Sequence, residues 1–284
     1  MTSFRAQTDF ATQFLQAAAA RPGKVLLATD FDGTLAPIVE NPEDSRLLPA
    51  AAEALAQLGP ALGVVAIITG RGVAKVRELG RLEGRPGLER LVVLGQYGAE
   101  RWDAATGKET PPEVPTSIAS ARPELEALLA DPRFVGVRLE DKGRALGVHT
   151  RPAPDPVGAY EALREPLASI AARHGLVLEP GRSVLELRAS SLTKGDALRA
   201  LVAETGVSAV AMCGDDLGDL PAFGVLDELR AEGLATCAVV AASAEQPALA
   251  ERADVVCDGP EGVAAWLATL ALTLRSAGQP NARS

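Results

Sequence analysis

The sequence predicts an α/β fold that has a parallel-sheet core and a smaller α+β domain inserted into it. In the first and last parts of the chain, short apolar β-branched runs alternate with amphipathic helical windows, as in a parallel sheet with crossover helices. This alternation breaks at residues 111–115, where three of five residues are proline, which continues neither a helix nor a central strand. The alternation resumes at Thr193, so the Rossmann-like core is predicted to be split by an insertion.

The core strands are predicted from apolar runs that are too short for helices. They lie at 25–29, 64–69, 91–94, 207–212, 235–241 and 255–257, with helical patterns at 48–58 and 73–79. We therefore assign residues 1–110 and 190–284 to the core domain.

The inserted segment has a different order of elements. Helices are predicted at 117–129 and 157–174, and extended segments at 134–140 and 146–151. A hairpin of 176–179 and 184–188 is expected to turn at Pro180-Gly181. The order helix, two strands, helix, two strands indicates an antiparallel α+β domain over 111–189.

Composition narrows the class of protein. The chain has 284 residues, of which 47% are apolar and 23% charged, as is typical of a soluble globular protein. The net charge of −9 disfavours a nucleic-acid or anionic-membrane partner. The three cysteines form no C-x-x-C motif, the start has no apolar signal region, and the apolar run 263–274 is too short to span a bilayer. We expect a cytoplasmic monomer.

The first motif with chemical content is Asp30-Phe-Asp32-Gly33-Thr, directly after the strand 25–29. Because side chains alternate along a strand, Asp30 and Asp32 project to one side where the strand ends, and ligands of open α/β sheets bind at that edge. An EF-hand is excluded, because Gly33 is the fourth loop position and Asn41 stands where the bidentate Glu belongs. Two adjacent carboxylates favour a divalent cation, or a nucleophile beside a proton carrier.

A second acidic motif follows the strand at 207–212. It contributes Asp215, Asp216 and Asp219. Acidic residues at the ends of two strands form a site of hard oxygen ligands, which suits Mg²⁺ better than zinc.

Two further segments could contact an anion. Thr69-Gly70-Arg71 ends the strand 64–69 with a hydroxyl group and a backbone amide that can hold a phosphate oxygen. Lys194 opens a helix, where a cation is unfavourable for the helix dipole, and this local disagreement points to a functional role. Taken alone, each segment also fits an ordinary turn or surface position.

In order and in context, these four motifs resemble those of the haloacid dehalogenase-like phosphatases, whose larger cap is inserted between the Thr and Lys motifs. The chain also resembles the trehalose-6-phosphate phosphatase family within that superfamily, through 95–100, 140–143, 148–151 and 181–188. It departs from many members by lacking Thr-Asp-Glu-Asp after Asp216. The resemblance implies Mg²⁺-dependent hydrolysis of a small sugar phosphate.

The resemblance also implies a role for each motif. Asp30 would attack phosphorus, Asp32 would carry the proton, and Thr69 and Lys194 would bind phosphoryl oxygens. The metal would be held by Asp30, the Asp32 carbonyl and Asp215, with Asp216 or Asp219 behind them; Asp216 is also a candidate for direct metal binding. In the phosphate loop, Gly70 and Arg71 would contact substrate.

Specificity is expected in the insertion. On an extended 134–142, Glu140 and Lys142 lie on one face and Val135, Val137 and Leu139 on the other. The resemblance maps sugar contacts onto Glu140, Lys142 and Glu186, and Arg182 is added as a weaker candidate. Without the resemblance, a solvated face of an ordinary antiparallel sheet is the favoured interpretation. Hinges at 111–115 and 189–191 would let the cap close.

Three functions remain open from the sequence. They are trehalose-6-phosphate hydrolysis, hydrolysis of another sugar phosphate such as sucrose phosphate or mannosyl-3-phosphoglycerate, and sensing of a sugar phosphate without catalysis. The intact Asp30, Asp32 and Lys194 argue against a sensor, which needs no nucleophile.

Overall fold

A computed structural model describes residues 3–110, 115–189, 192–242 and 247–278. The chain divides into two compact units. The core unit comprises Met1–Thr110 and Leu192–Ser284, and the inserted unit comprises Pro111–Ser191. The predicted hinges at 111–115 and 189–191 lie largely outside the described residues. That the inserted unit selects the substrate stays a prediction.

The described residues of the core unit form a nine-stranded sheet in the order β1-β13-β12-β11-β2-β3-β4-β5-β6. The strands from β13 to β4 in this order are parallel, and β1, β5 and β6 are antiparallel to their neighbours. Their bounds are β1 Phe4–Ala6, β2 Val25–Thr29, β3 Val64–Ile68, β4 Leu91–Gly95, β5 Glu100–Asp103, β6 Glu109–Thr110, β11 Ala209–Gly214, β12 Ala235–Ala242 and β13 Val255–Asp258. All six predicted core strands are present, and β11 begins two residues later than expected.

Helices cover both faces of this sheet and give it two apolar layers. The helices are α1 Asp9–Ala20, α2 Pro49–Leu58, α3 Val73–Gly80, α6 Lys194–Thr205, α7 Leu220–Ala231 and α8 Gly259–Gly278. One layer includes Phe14, Leu55 and Trp266, and the other includes Leu198 and Phe223. Because both faces are covered, the parallel strands are continuously apolar, as their sequence shows.

The inserted unit is a four-stranded antiparallel sheet in the order β7-β8-β10-β9, with two helices. Its elements are α4 Thr116–Leu129, β7 Arg138–Asp141, β8 Ala145–His149, α5 Pro156–His174, β9 Val177–Gly181 and β10 Val184–Arg188. Leu146, Leu185 and Leu187 are buried with the apolar residues of α4 and α5. The alternate residues of these strands therefore form the face turned away from the helices.

Two details of the predicted insertion were wrong. The extended segment does not begin at Phe134, which is buried in a 3₁₀ turn; the strand begins at Arg138, after Gly136 with φ of 86°. Val135 is consequently 65% exposed rather than part of the apolar face. The hairpin turns at Arg182-Ser183, with Ser183 at φ of 52°, so Pro180 and Gly181 belong to β9. In both places a residue with positive φ interrupts the alternation of side chains along an extended strand.

Within the described residues, no helix combines the length and apolar character needed to cross a bilayer. Cys213, Cys237 and Cys257 are buried free thiols.

A buried carboxylate ties three elements of the core unit together. Asp254, which is 3% exposed, accepts hydrogen bonds from Thr8 Oγ1 (2.6 Å), Arg230 Nη2 (2.7 Å) and the Ala238 amide (2.9 Å). Thr8 precedes α1, Arg230 lies on α7 and Ala238 on β12. Removing this carboxylate would leave the buried Ala238 amide and the partly buried Arg230 guanidinium without this acceptor, which is costly.

We expect Asp254→Ala to lower the free energy of unfolding by about 3 kcal/mol, measured by urea denaturation. Asp227→Ala is the matched control, because exposed Asp227 contacts the same Arg230 at 3.2 Å and its loss should cost no more than about 0.5 kcal/mol. Equal losses in the two variants would contradict a structural role for Asp254.

Candidate active site

Three buried carboxylates meet where β2 and β11 end. These strands are parallel neighbours, with Thr29 opposite Cys213, so the residues that follow them share one edge of the sheet. Asp30 directly follows β2, and its amide bonds to the Cys213 carbonyl at 2.8 Å. The carboxylates of Asp30, Asp215 and Asp219 have oxygens within 4.8 Å of one another. We call these three residues the acid cluster.

Lys194 lies inside the acid cluster. Its Nζ is 2.7 Å from Asp30 Oδ2 and 2.8 Å from Asp219 Oδ1, and its side chain is 4% exposed. Lys194 is the first residue of α6, which is held by a capping box between Thr193 and Asp196. The unfavourable position of this cation in the helix dipole is thus offset by two carboxylates.

Asp219 is oriented by the backbone before it. Its Oδ2 accepts the amides of Asp215 (3.0 Å) and Asp216 (3.2 Å) while Oδ1 accepts Lys194. Exposed Asp216 turns its side chain to the Gly218 amide at 2.9 Å and caps the 3₁₀ turn Leu217–Asp219. Of these two acids, the structure places Asp219 rather than Asp216 in the acid cluster.

The acid cluster is strongly perturbed electrostatically. Burial raises the pKa of Asp30 well above its ordinary value, although the Lys194 charge opposes this shift. Burial, with repulsion from Asp219 and Asp216, raises the pKa of Asp215 to about 8. Burial would lower the pKa of Lys194, but Asp219 and Asp30 raise it well above its usual value. The three carboxyls therefore resist being ionised together, because one lysine offsets only part of their combined charge.

The loop after Asp30 contributes two further contacts. Thr34 Oγ1 donates to Asp215 Oδ1 at 3.1 Å. Gly33 has φ of +71°, and a Cβ there would lie 2.0 Å from Asp215 Oδ2. The glycine is thus required by both backbone conformation and the close approach of Asp215.

Asp32 lies apart from the acid cluster in a second set of contacts. Arg71 Nε donates to its Oδ2 at 2.5 Å and Arg71 Nη2 to its Oδ1 at 2.7 Å. Ser45 Oγ is 3.2 Å from Oδ1. Arg71 was predicted to contact substrate, and the structure places its guanidinium on Asp32.

Thr69 and Gly70 are held by a strained turn. Gln96, Tyr97 and Gly98 have φ of 47°, 61° and 97°, a conformation unusual for the two non-glycine residues. The Tyr97 amide donates to the Thr69 carbonyl at 2.9 Å. A Cβ on Gly70 would lie 2.9 Å from the Tyr97 hydroxyl. The turn that follows β4 therefore holds the predicted phosphate loop in place.

The inserted unit collects charged residues on the face of its sheet turned away from the helices. Lys142 forms an ion pair with Glu186 and lies 3.9 Å from Glu140. His149 Nε2 is 2.7 Å from the same Glu140 carboxylate. The structure thus brings Glu140, Lys142 and Glu186 together, whereas exposed Arg182 lies in the β9–β10 turn. That these residues contact the sugar stays a prediction.

Sequence reasoning missed two hydroxyl groups of the site, those of Ser45 and Thr34. Thr34 follows Gly33 within the first motif, which was a usable signal. Ser45 is 1% exposed in a loop thirteen residues after Asp32, and no local pattern marks it.

Comparison with known proteins finds relatives that are named as trehalose-phosphate phosphatases. The sequence pattern of the trehalose-phosphatase family matches residues 28–255. A probable trehalose-phosphate phosphatase of Sinorhizobium fredii is 32% identical over 72% of this chain and 74% of its own. The trehalose-6-phosphate phosphatase of Escherichia coli is 31% identical over 70% of this chain and 73% of its own.

Solved structures show the same fold. The C-terminal domain of Candida albicans trehalose-6-phosphate phosphatase aligns with a TM-score of 0.74 over 95% of this chain and 99% of that one, at 19% identity. A haloacid dehalogenase-like hydrolase from Bacteroides thetaiotaomicron aligns with a TM-score of 0.61 over 86% and 98%, at 15% identity. The predicted fold class is confirmed. The chain belongs to the trehalose-phosphatase family.

Proposed function

We propose that this chain hydrolyses trehalose 6-phosphate to trehalose and phosphate, with Asp30 as nucleophile. The observation that carries this proposal is the buried Asp30 carboxylate, 2.7 Å from the Lys194 ammonium and at the open end of a parallel sheet. A carboxylate kept this close to a cation can form a covalent phosphoryl intermediate. The membership in the trehalose-phosphatase family selects the substrate.

The donor set fits a divalent, oxygen-binding cation. Three carboxylates lie close together, and two of them pair with one ammonium, which leaves an excess of two negative charges when all are ionised. Asp30 and Asp215, with the Asp32 carbonyl, would hold Mg²⁺, and Asp219 would orient the site; a direct role for Asp216 stays a prediction. When bound, Mg²⁺ offsets the repulsion between the carboxylate nucleophile and the phosphate dianion.

In the first step, an Asp30 carboxylate oxygen attacks phosphorus, and the bond from phosphorus to the sugar oxygen breaks. Asp32 gives its proton to that oxygen, so trehalose leaves as an alcohol and Asp30 carries the phosphoryl group. Thr69, through its hydroxyl, and Lys194 bind the phosphoryl oxygens as charge shifts toward the leaving group.

In the second step, Asp32 takes a proton from a water molecule whose oxygen attacks the same phosphorus. The Asp30–phosphorus bond breaks, phosphate leaves, and Asp30 returns to its carboxylate form. One carboxyl group thus serves as acid and then as base.

We assign the choice of sugar to the inserted domain, residues 111–189. Glu140, Lys142 and Glu186 offer carboxylate acceptors and an ammonium donor to the hydroxyls of a disaccharide, and Arg182 is a further candidate. A cytoplasmic location and a monomeric state remain predictions.

We expect the wild-type protein with Mg²⁺ to release phosphate from trehalose 6-phosphate faster than from sucrose 6-phosphate, glucose 6-phosphate or mannosyl-3-phosphoglycerate. Asp30→Asn should abolish the release, because an amide cannot serve as the nucleophile. Phosphate release is the measurement. Preference for another substrate would overturn the sugar assignment, and no hydrolysis at all would favour a sensor.

The acid cluster predicts how stability depends on pH in chelator. A carboxyl whose pKa is raised in the folded state favours folding while protonated, so stability falls as pH rises from its unfolded pKa toward its folded one. Asp215, with a folded pKa of about 8, should therefore destabilise the wild type increasingly as pH rises from about 4 to about 8. Asp215→Asn removes this contribution.

The melting temperature of Asp215→Asn should accordingly exceed that of wild type by a margin that grows across this pH range. Millimolar Mg²⁺ should raise the melting temperature of wild type and have less effect on the variant. A constant margin, or equal Mg²⁺ shifts in both proteins, would contradict the metal assignment.

In the inserted unit, Glu186→Gln should raise KM for trehalose 6-phosphate about tenfold and change kcat little, because the lost contact holds the sugar in both ground and transition states. Steady-state kinetics measure the split. Glu161→Gln is the control, since exposed Glu161 on α5 pairs only with Arg164 among the described residues. A fall in kcat at constant KM would refute the sugar-binding role.

A further inference from the structure

Arg71 contacts Asp32 with the planar fork of its guanidinium. Two parallel hydrogen bonds, of 2.5 Å to Oδ2 and 2.7 Å to Oδ1, fix both carboxylate oxygens. Such a bidentate pair sets the plane of the carboxylate as well as its position. The Arg71 side chain is 15% exposed and that of Asp32 34% exposed, so the pair lies at the edge of the site.

Other contacts fix Arg71 itself. Arg71 Nη2 also donates to the Pro42 carbonyl at 2.9 Å. Its amide donates to Thr69 Oγ1 at 3.2 Å, and its carbonyl accepts the Gln96 amide at 2.9 Å. Gln96 is a left-handed residue of the strained turn. The Arg71 guanidinium is thus held by the Pro42 carbonyl as well as by Asp32, and its backbone by Thr69 and Gln96.

Ser45 completes the arrangement from a third segment. Its Oγ, which is within hydrogen-bonding distance of Asp32 Oδ1, also lies 3.0 Å from the Pro37 carbonyl. Ser45 has one hydroxyl proton, which the Pro37 carbonyl or Asp32 Oδ1 can accept. Among the described residues, Oδ1 thus lies beside Arg71 Nη2 and the Ser45 hydroxyl, whereas Oδ2 lies beside Arg71 Nε. A carboxylate has about four lone-pair sites, and the less occupied oxygen has more capacity for a proton.

We propose that Arg71 is a positioning residue that aims Asp32, and that Asp32 Oδ2 carries the proton in both steps. This inference rests on the proposed function, because Asp32 is the general acid of that reaction and Arg71 is the residue that holds it. It replaces the expectation that Arg71 binds substrate. Arg71 acts through Asp32, so its loss should slow chemistry without weakening substrate binding.

The test separates chemistry from binding. Arg71→Gln should lower kcat about 100-fold, as expected when a catalytic group is misplaced by about 1 Å, and leave KM within about twofold. Arg71→Lys keeps the charge and loses the fork, so it should recover little of the kcat. Arg46→Gln is the matched control, because exposed Arg46 donates to the Glu43 carbonyl in the same region and should leave kcat unchanged.

Binding is measured by calorimetry in the Asp30→Asn background, where trehalose 6-phosphate is not turned over. Adding Arg71→Gln should leave Kd within about twofold. A tenfold weaker Kd would overturn the proposal and return Arg71 to substrate binding. If Arg71→Gln fails to fold, Arg71→Lys and Ser45→Ala carry the same comparison.

A double-mutant cycle gives an independent readout. If Arg71 acts through Asp32, Arg71→Gln should change the residual kcat of Asp32→Asn by less than about threefold. If the effects of the two substitutions on kcat multiply, the proposal is refuted, even when the wild type hydrolyses trehalose 6-phosphate normally. Absence of trehalose 6-phosphate hydrolysis by wild type would instead refute the proposed function, so the two failures are distinguishable.

Discussion

The repulsion among three buried carboxylates is the constraint on which the site depends. Asp30, Asp215 and Asp219 lie close together in a place that water cannot screen, and Lys194 neutralises only part of their charge. Burial and repulsion from Asp219 raise the pKa of Asp215 to about 8. Keeping this carboxylate ionised is therefore unfavourable for folding. The apolar layers on the two faces of the core sheet must supply the stability that holds these carboxylates in place. A bound cation would relieve the repulsion among them.

Backbone geometry makes this crowding possible. Gly33 and Gly214 stand where the acids approach most closely, and a Cβ on Gly214 would lie 2.3 Å from Asp219 Cγ. The amides of Asp215 and Asp216 both donate to Asp219, so the turn after β11 orients its own third acid. The two glycines therefore serve different ends of one site, and neither can be replaced without moving a carboxylate.

The two acids of the first motif, Asp30 and Asp32, lie in different environments. Asp30 is buried beside Lys194, whereas Asp32, two residues later, is partly exposed and paired with Arg71. The alternation of an extended strand brings both acids to one edge, but the neighbouring loops give them different partners. This difference in environment fits the proposed division of roles, with Asp30 as nucleophile and Asp32 as proton carrier.

The core fold and its acid motifs could be derived from the sequence, because apolar periodicity and strand-end position are local properties. The six core strands, Asp30, Asp215 and Lys194 all follow from such patterns. The choice of Asp219 over Asp216 for the acid cluster, the Ser45 contact and the Arg71–Asp32 pair could not, because each depends on how a turn or loop is folded beside the strand ends. The start of β7 and the hairpin turn were also missed, since left-handed backbone at Gly136 and Ser183 interrupts the alternation. Local pattern thus determined which groups reach the edge of the sheet, and tertiary structure alone decided which of them touch.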